Sequence, residues 1–174
     1  MKELNLTLQS MVHYKLIEHE RLGDAPFVGA LICAKECYFN CTNCINEDVK
    51  RLPTKEAAAS AIVAEVKQNP FNTGIILSGL EWSEQICEAI ELAKEAQKAG
   101  LKAMLYTGLK WDEISALLCE SLRYFDYIKC GRYEEEKKVS NNYQHGVLLA
   151  TSNQRIYKIM RKDSQYEITF TQNF

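Results

Sequence analysis

The chain has 174 residues, 47% of them hydrophobic and 25% charged, which is enough apolar material for one folded domain with its own core and argues against a disordered chain. A formal net charge of −2 and a pI near 6.0 provide no broad positive field, so nucleic acid and anionic lipid are poor partners and a small molecule or another protein is expected. No apolar run approaches the roughly 20 residues of a membrane helix, and Met1-Lys2-Glu3-Leu4-Asn5 lacks the apolar centre of a secretory signal; the expectation is a cytoplasmic protein without a membrane segment.

In chain order, Leu4, Leu6 and Leu8 alternate with polar residues like a strand, and Met11 to Ile17 is a second weak strand. Gly23-Asp24-Ala25-Pro26 marks a turn. Phe27 to Ile32 is an almost wholly apolar run, as suits a strand covered on both faces. Thr54 after Pro53 reads as a helix cap, with Ala58, Ile62 and Val66 along one face. Gly74 to Leu77 is the next buried strand and ends in Ser78-Gly79-Leu80-Glu81. Ser83 then caps a long helix with Ile86, Ile90 and Ala93 inward, closed by Gly100. Leu101 to Tyr106 predicts a third strand, Trp111 to Leu118 a helix with Ile114, Leu117 and Leu118 inward, and Tyr124 to Lys129 a fourth strand. Glu134 to Lys138 reads as a solvated loop and Ser140 to Gly146 as another, with Val147 to Ala150 a further strand. Ile156 to Met160 and Tyr166 to Phe170 form a C-terminal hairpin across Lys162 to Gln165. Strict alternation of strand and helix predicts βαβ units and a mainly parallel sheet. A closed eight-unit barrel needs about 250 residues, so the α/β fold expected here is a partial, open (β/α) barrel. It forms one domain over 1–174, with a core of about 27–157 and the hairpin as an extension at 158–174.

The chemistry concentrates in Cys37-Tyr38-Phe39-Asn40-Cys41-Thr42-Asn43-Cys44. A C-x3-C-x2-C loop can wrap three iron corners of a four-iron, four-sulfur cluster, leaving the fourth iron free for a small molecule. Alternatives stand beside this. Cys33 adds a fourth thiol, so a structural zinc site or a fully ligated electron-transfer cluster is open. Disulfides fit poorly with seven Cys and no visible signal. Cys87, Cys119 and Cys130 read as small buried hydrophobes. His13, His19 and His145 are isolated and read as surface residues.

The three-Cys loop resembles that of the radical S-adenosylmethionine enzymes. With Ser78-Gly79-Leu80-Glu81, Tyr106-Thr107-Gly108, Cys130-Gly131-Arg132-Tyr133 and Thr151-Ser152-Asn153-Gln154-Arg155 following in that order, the chain looks most like the activating enzymes of anaerobic ribonucleotide reductase. The resemblance covers roughly residues 27–157. It implies that Cys37, Cys41 and Cys44 hold a 4Fe-4S cluster with S-adenosylmethionine on its open iron. It places Asn43 by the adenine, Ser78, Gly79, Leu80 and Glu81 along the methionyl amino group, and Tyr106 and Thr107 at the ribose or carboxylate. Plainer roles compete at each: Glu81 as a helix-start acid, Tyr106 as a strand end, Thr107 as a capping hydroxyl. Leu80 stands where the family has a second Gly, and Cys130 where it has Asp.

By that resemblance the reduced cluster would split S-adenosylmethionine into methionine and a 5′-deoxyadenosyl radical, which takes a hydrogen atom from a glycine of the reductase and leaves a glycyl radical. A one-electron donor such as flavodoxin is implied. Two other functions are weighed: a non-catalytic iron-sulfur or zinc-binding module in which Leu80 blocks the cofactor and Cys33 is a fourth ligand, and an activase of another glycyl-radical enzyme.

Overall fold

A computed structural model describes residues 11–162 and 165–170; the strand expected at Leu4 to Leu8 and the tip of the C-terminal hairpin lie outside them. In chain order the elements are β1 (Met11–Arg21), β2 (Gly29–Ala34), α1 (Glu47–Lys50), β3 (Lys55–Ala58), α2 (Ala59–Gln68), β4 (Gly74–Ser78), α3 (Ile86–Lys98), β5 (Lys102–Tyr106), α4 (Trp111–Leu118), β6 (Tyr127–Cys130), β7 (Lys138–Gln144), β8 (Val147–Thr151), β9 (Arg155–Lys162) and β10 (Gln165–Phe170). The main sheet has the order β10-β9-β6-β5-β4-β2-β1-β3. Its centre, β2-β4-β5-β6, is parallel, as the continuous apolar runs predict. Both flanks are antiparallel, β1 and β3 on one side and the β9-β10 hairpin on the other, so the sheet is mixed rather than mainly parallel.

Period-two alternation divides the centre between two cores. Ile75, Leu77, Leu105 and Ile128 face the helices and pack with Ile62, Val66, Leu92 and Ile114. Ile76 and Met104 face the other way and meet Val147 and Leu149 of the separate β7-β8 hairpin, which covers that side. Trp82 is fully buried among the helix-side residues, where its indole N–H donates to Ile32 O at 3.1 Å. It staples the turn after β4 to β2 rather than lying over a ligand.

Several expectations change. Residues 55–58 form an edge strand along β1, so α2 begins only at Ala59 and Thr54 caps nothing; its hydroxyl accepts from Lys15 Nζ at 3.1 Å. Ser83 is not the cap after β4 either. Glu81 takes that role, accepting from Ser83 N at 3.0 Å at the start of a short 3-10 turn, Trp82–Gln85, that leads into α3. Leu117 is exposed, because in so short a helix Ile114 and Leu118, four apart, define the inner face. The stretch before β6 is a 3-10 turn, Cys119–Tyr124, and the polar 138–144 segment is a strand. Cys130 is buried as expected, but Cys87 and Cys119 are exposed. Among the described residues no helix is long and apolar enough to cross a membrane.

Candidate metal centre at the strand ends

The parallel strands β2, β4, β5 and β6 all point their C-terminal ends at one rim, where α/β folds carry their ligands. The loop after β2 lies across that rim and is tied down at several points. Glu81 N donates to Glu36 O at 3.0 Å, Lys35 N to Gln85 Oε1 at 2.9 Å and Tyr38 N to Glu84 Oε1 at 2.6 Å. Beyond it, Asn46 Nδ2 donates to Gly79 O at 2.5 Å. The loop is therefore hung from the segment that follows β4.

Beneath it lies a cleft of about 180 Å3, open at its mouth. Cys37, Cys41 and Cys44 line it together with Ser78, Gly79, Leu80, Glu81, Tyr106 and Thr107. Nine of the ten residues named from sequence thus share one wall. Asn43 does not line the cleft; it has a positive φ of 55° and its side chain bonds Glu135. Leu80 touches the cleft, yet its side chain is buried in the helix-side core.

Glu81 is 3% exposed, and both carboxylate oxygens are engaged. Oε1 accepts from Ser83 N at 3.0 Å and from Thr107 Oγ1 at 2.8 Å, while Oε2 accepts from Gly108 N at 2.8 Å. Thr107 Oγ1 in turn accepts from Leu109 N at 3.1 Å. These contacts give Glu81 and Thr107 their plainer roles of capping and clamping two strand ends. Tyr106 is also committed: its hydroxyl donates to Asp24 O at 2.6 Å, and burial raises its pKa.

Two glycines set how closely the layers approach. Gly79 has φ +88°, and a Cβ there would sit 2.4 Å from Cys33 Sγ. A Cβ on Gly108 would sit 2.4 Å from Cε2 of Phe39, a ring of the Cys loop that rests on the β5 turn. Gly79→Ala is accordingly expected to cost about 3 kcal/mol, from the left-handed backbone and the clash together. Adding Cys33→Ala should recover about 1 to 2 kcal/mol of it, because only the clash is relieved. Urea denaturation of the four proteins of that cycle measures the coupling; simple additivity would refute the contact.

Cys33 itself is 1% exposed on β2, opposite Ser78 in the parallel register, and burial pushes its thiol up to about 11. It is not among the residues lining the cleft. The thiols that share the cleft are therefore the three of the loop. Among the described residues no three His, Cys, Asp or Glu converge on a single ion position. Cluster thiolates sit at separate iron corners, so a cluster does not need such convergence.

A model of the 4Fe-4S single cluster domain family matches residues 27–157, well over half of the chain. The chain belongs to that family. Comparison with curated proteins finds no match. In this 4Fe-4S single cluster domain the three cleft thiols are the fitting donor set, soft ligands on one loop. Burial lifts the Cys37 thiol above its ordinary value, and cluster binding would release its proton. Arg132 stands over the loop, with its guanidinium 5.1 Å from the Phe39 ring centre and hydrogen-bonded to Cys41.

Sequence reasoning missed Ile45, Asn46 and Lys129 of the cleft lining. Asn46 gave no signal. Lys129 did, as a lone cation inside the apolar run of β6. It is 8% exposed, lines the cleft, and donates to Gly131 O at 3.0 Å. Burial pulls its pKa from 10.5 down to about 8. Between those values the unfolded chain holds a proton that the folded chain has lost, so this group's contribution to stability rises with pH across that window. Cys33 and Cys130, pushed up to about 11 and about 12, act oppositely, their contribution falling as pH rises above about 9. Subtracting the pH-stability curve of Lys129→Met from that of the wild-type apo-protein should isolate a rise of about 3 kcal/mol from pH 8 to 10.5. A flat difference curve would show that the ammonium is solvated.

Proposed function

We propose that this 4Fe-4S single cluster domain is a radical S-adenosylmethionine activase with an abbreviated, partial-barrel fold, acting on a glycyl-radical enzyme, most closely an anaerobic ribonucleoside-triphosphate reductase. The observation that carries the reading is the sharing of one cleft by three loop thiols and the ends of four parallel strands, while Cys33 lies outside it. A structural metal knuckle needs no cleft built from several strand ends. Bound at Cys37, Cys41 and Cys44, the cluster would supply one electron for cleavage of the sulfonium of S-adenosylmethionine at its open iron.

The chain's own part is positional. Glu81 and Thr107 fix the β4 and β5 turns, Gly79 lets the turn after β4 lie against Cys33 of β2, and Gly108 lets the loop lie on the β5 turn. With both side chains engaged in that clamp, contacts to the ligand fall to other atoms of the wall: Ser78, the backbone around it and the Tyr106 ring. The cleft mouth stays wide, and Ile45 at 94% exposure and Tyr38 at 55% stand beside the Cys loop. Exposed apolar side chains there suit a macromolecular substrate whose own loop closes the site. The partner is then a glycyl-radical enzyme, with a one-electron donor such as flavodoxin upstream.

The test is anaerobic reconstitution with iron and sulfide, followed by dithionite and S-adenosylmethionine. The expected products are 5′-deoxyadenosine and methionine, and with the reductase present a glycyl radical seen by electron paramagnetic resonance. A fully loaded cluster that cleaves nothing, with or without the reductase, overturns the enzyme. Cleavage that leaves no radical on the reductase but marks another glycyl-radical enzyme reassigns the partner.

The hydrogen bonding of Glu81 and Thr107 favours a second reading. Both are committed to bonds within the protein, as a non-catalytic iron-sulfur module would have them. Such a module would load its cluster and leave S-adenosylmethionine unbound in equilibrium dialysis.

A further inference from the structure

On β6, Ile128 and Cys130 turn into the helix-side core, and Lys129 turns to the opposite face, toward the cleft that carries the three thiols. Its ammonium has three donors, of which Gly131 O takes one. The Nζ lies 5.5 Å from the centre of the Tyr106 ring. Glu81, the buried acid of the same cleft, accepts from Ser83, Thr107 and Gly108 and attracts Lys129 from a distance, but among the described residues no carboxylate stands within ion-pair distance of Lys129. A buried cation with no direct ion pair is costly, and an anion brought close to it compensates it better than the more distant charge of Glu81. The anions this cleft is built for are thiolates and the cluster they hold.

We propose that Lys129 is the fixed counter-charge of the cluster and raises its reduction potential, an inference that rests on the cluster being held by Cys37, Cys41 and Cys44. The step is a single electron passing from an external one-electron donor into the cluster. No bond breaks and no proton moves. The assembly becomes more negative by one charge, which a buried ammonium stabilises and an apolar residue does not. Cluster potentials follow net charge, hydrogen bonding and solvent exposure, and here the charge is supplied where water cannot screen it. Arg132 and Lys50 also face the loop, through Cys41 and Cys44, but from the solvent side, where salt weakens them.

The experiment is a redox titration of the reconstituted protein by electron paramagnetic resonance, without S-adenosylmethionine. Lys129→Met should lower the ratio of reduced to oxidised cluster at a fixed potential about tenfold, equivalent to about 59 mV for a one-electron couple. Lys129→Arg, which keeps the charge, should stay within about threefold of wild type. Arg132→Gln should give a smaller shift that fades in high salt. The apo-protein of Lys129→Met should also be more stable than wild type at pH 7, whereas loss of a merely structural lysine would weaken it. Should Lys129→Met fail to load, Lys129→Gln carries the same expectation. A neutral variant that titrates like wild type, or an arginine variant that shifts as far as methionine, overturns the inference. A wild-type protein that takes up no cluster overturns the underlying reading instead.

Discussion

Alanine at Cys37, Cys41 or Cys44 is expected to leave a folded chain that retains no stable four-iron cluster, while alanine at Cys33 keeps the full iron-to-protein ratio. Each loop thiolate holds a different iron, so removing any one strips a corner that nothing else in the cleft replaces. Cys33 is different in kind. It is fixed in the ladder of β2 opposite Ser78, its sulfur lies under the Gly79 backbone, and burial keeps its thiol protonated up to about 11. To ligate iron it would have to leave the strand. Iron and sulfide analysis after anaerobic reconstitution reads the outcome. Cleavage of S-adenosylmethionine by the loop variants should fall by more than about a hundredfold, beyond the ten- to hundredfold typical of losing an outer-shell partner. Equal loss of iron in Cys33→Ala would mean four protein ligands and no open corner. The loop variants should keep the melting behaviour of the apo-protein, since the three thiols are only partly buried.

What could be read from the sequence follows from which forces write themselves locally. The strands β2, β4 and β5 were legible because a parallel strand buried on both faces is a continuous apolar run between turn residues. The thiol loop was legible because ligand spacing is a local quantity. β3 was not. Lys55-Glu56-Ala57-Ala58 is made of helix formers, and only its pairing with Met11 to Tyr14 holds it extended. β7 was missed for another reason. Its inward residues are amides: Asn142 donates to Thr151 O at 2.8 Å and Gln144 to Gln154 O at 3.2 Å, so polar groups satisfied at long range replace the apolar alternation by which a strand is recognised. The same blindness limited the site. Nothing local shows that Glu81 will find Thr107 and Gly108 on the next strand, or that Asn43 will turn toward Glu135 and away from the cleft.

Glu81→Ala is expected to destabilise the apo-protein by about 4 kcal/mol, the largest loss of any single polar residue at the rim. The substitution removes one carboxylate that serves three donors. Thr107 can rotate its hydroxyl, but Ser83 N–H and Gly108 N–H are fixed by the backbone, and each donor left unpaired in a buried setting costs about 1 to 3 kcal/mol. Glu81→Gln should cost less, about 2 kcal/mol, because one oxygen still accepts while the new amide group confronts a donor. Thr107→Val, which removes the hydroxyl's bond to Glu81 and the one it accepts from Leu109 N, should cost about 2 kcal/mol, and the double mutant with Glu81→Ala should fall short of the sum. The damage should also reach the cluster, although Glu81 hydrogen-bonds to Ser83, Thr107 and Gly108 rather than to the three thiols. Gly108 supports the Phe39 ring, and Glu81 N holds Glu36 O, so both ends of the link into the Cys loop begin at this residue. Slower cluster uptake and faster iron loss to a chelator should accompany the drop in stability, in the order Ala, Gln, wild type. A carboxylate kept for the ligand's amino group would behave otherwise: Glu81→Gln would unfold like wild type and lose affinity for S-adenosylmethionine alone. If Glu81→Ala stays within about 0.5 kcal/mol of wild type, the scale of an ordinary surface change, the clamp between β4 and β5 must lie elsewhere.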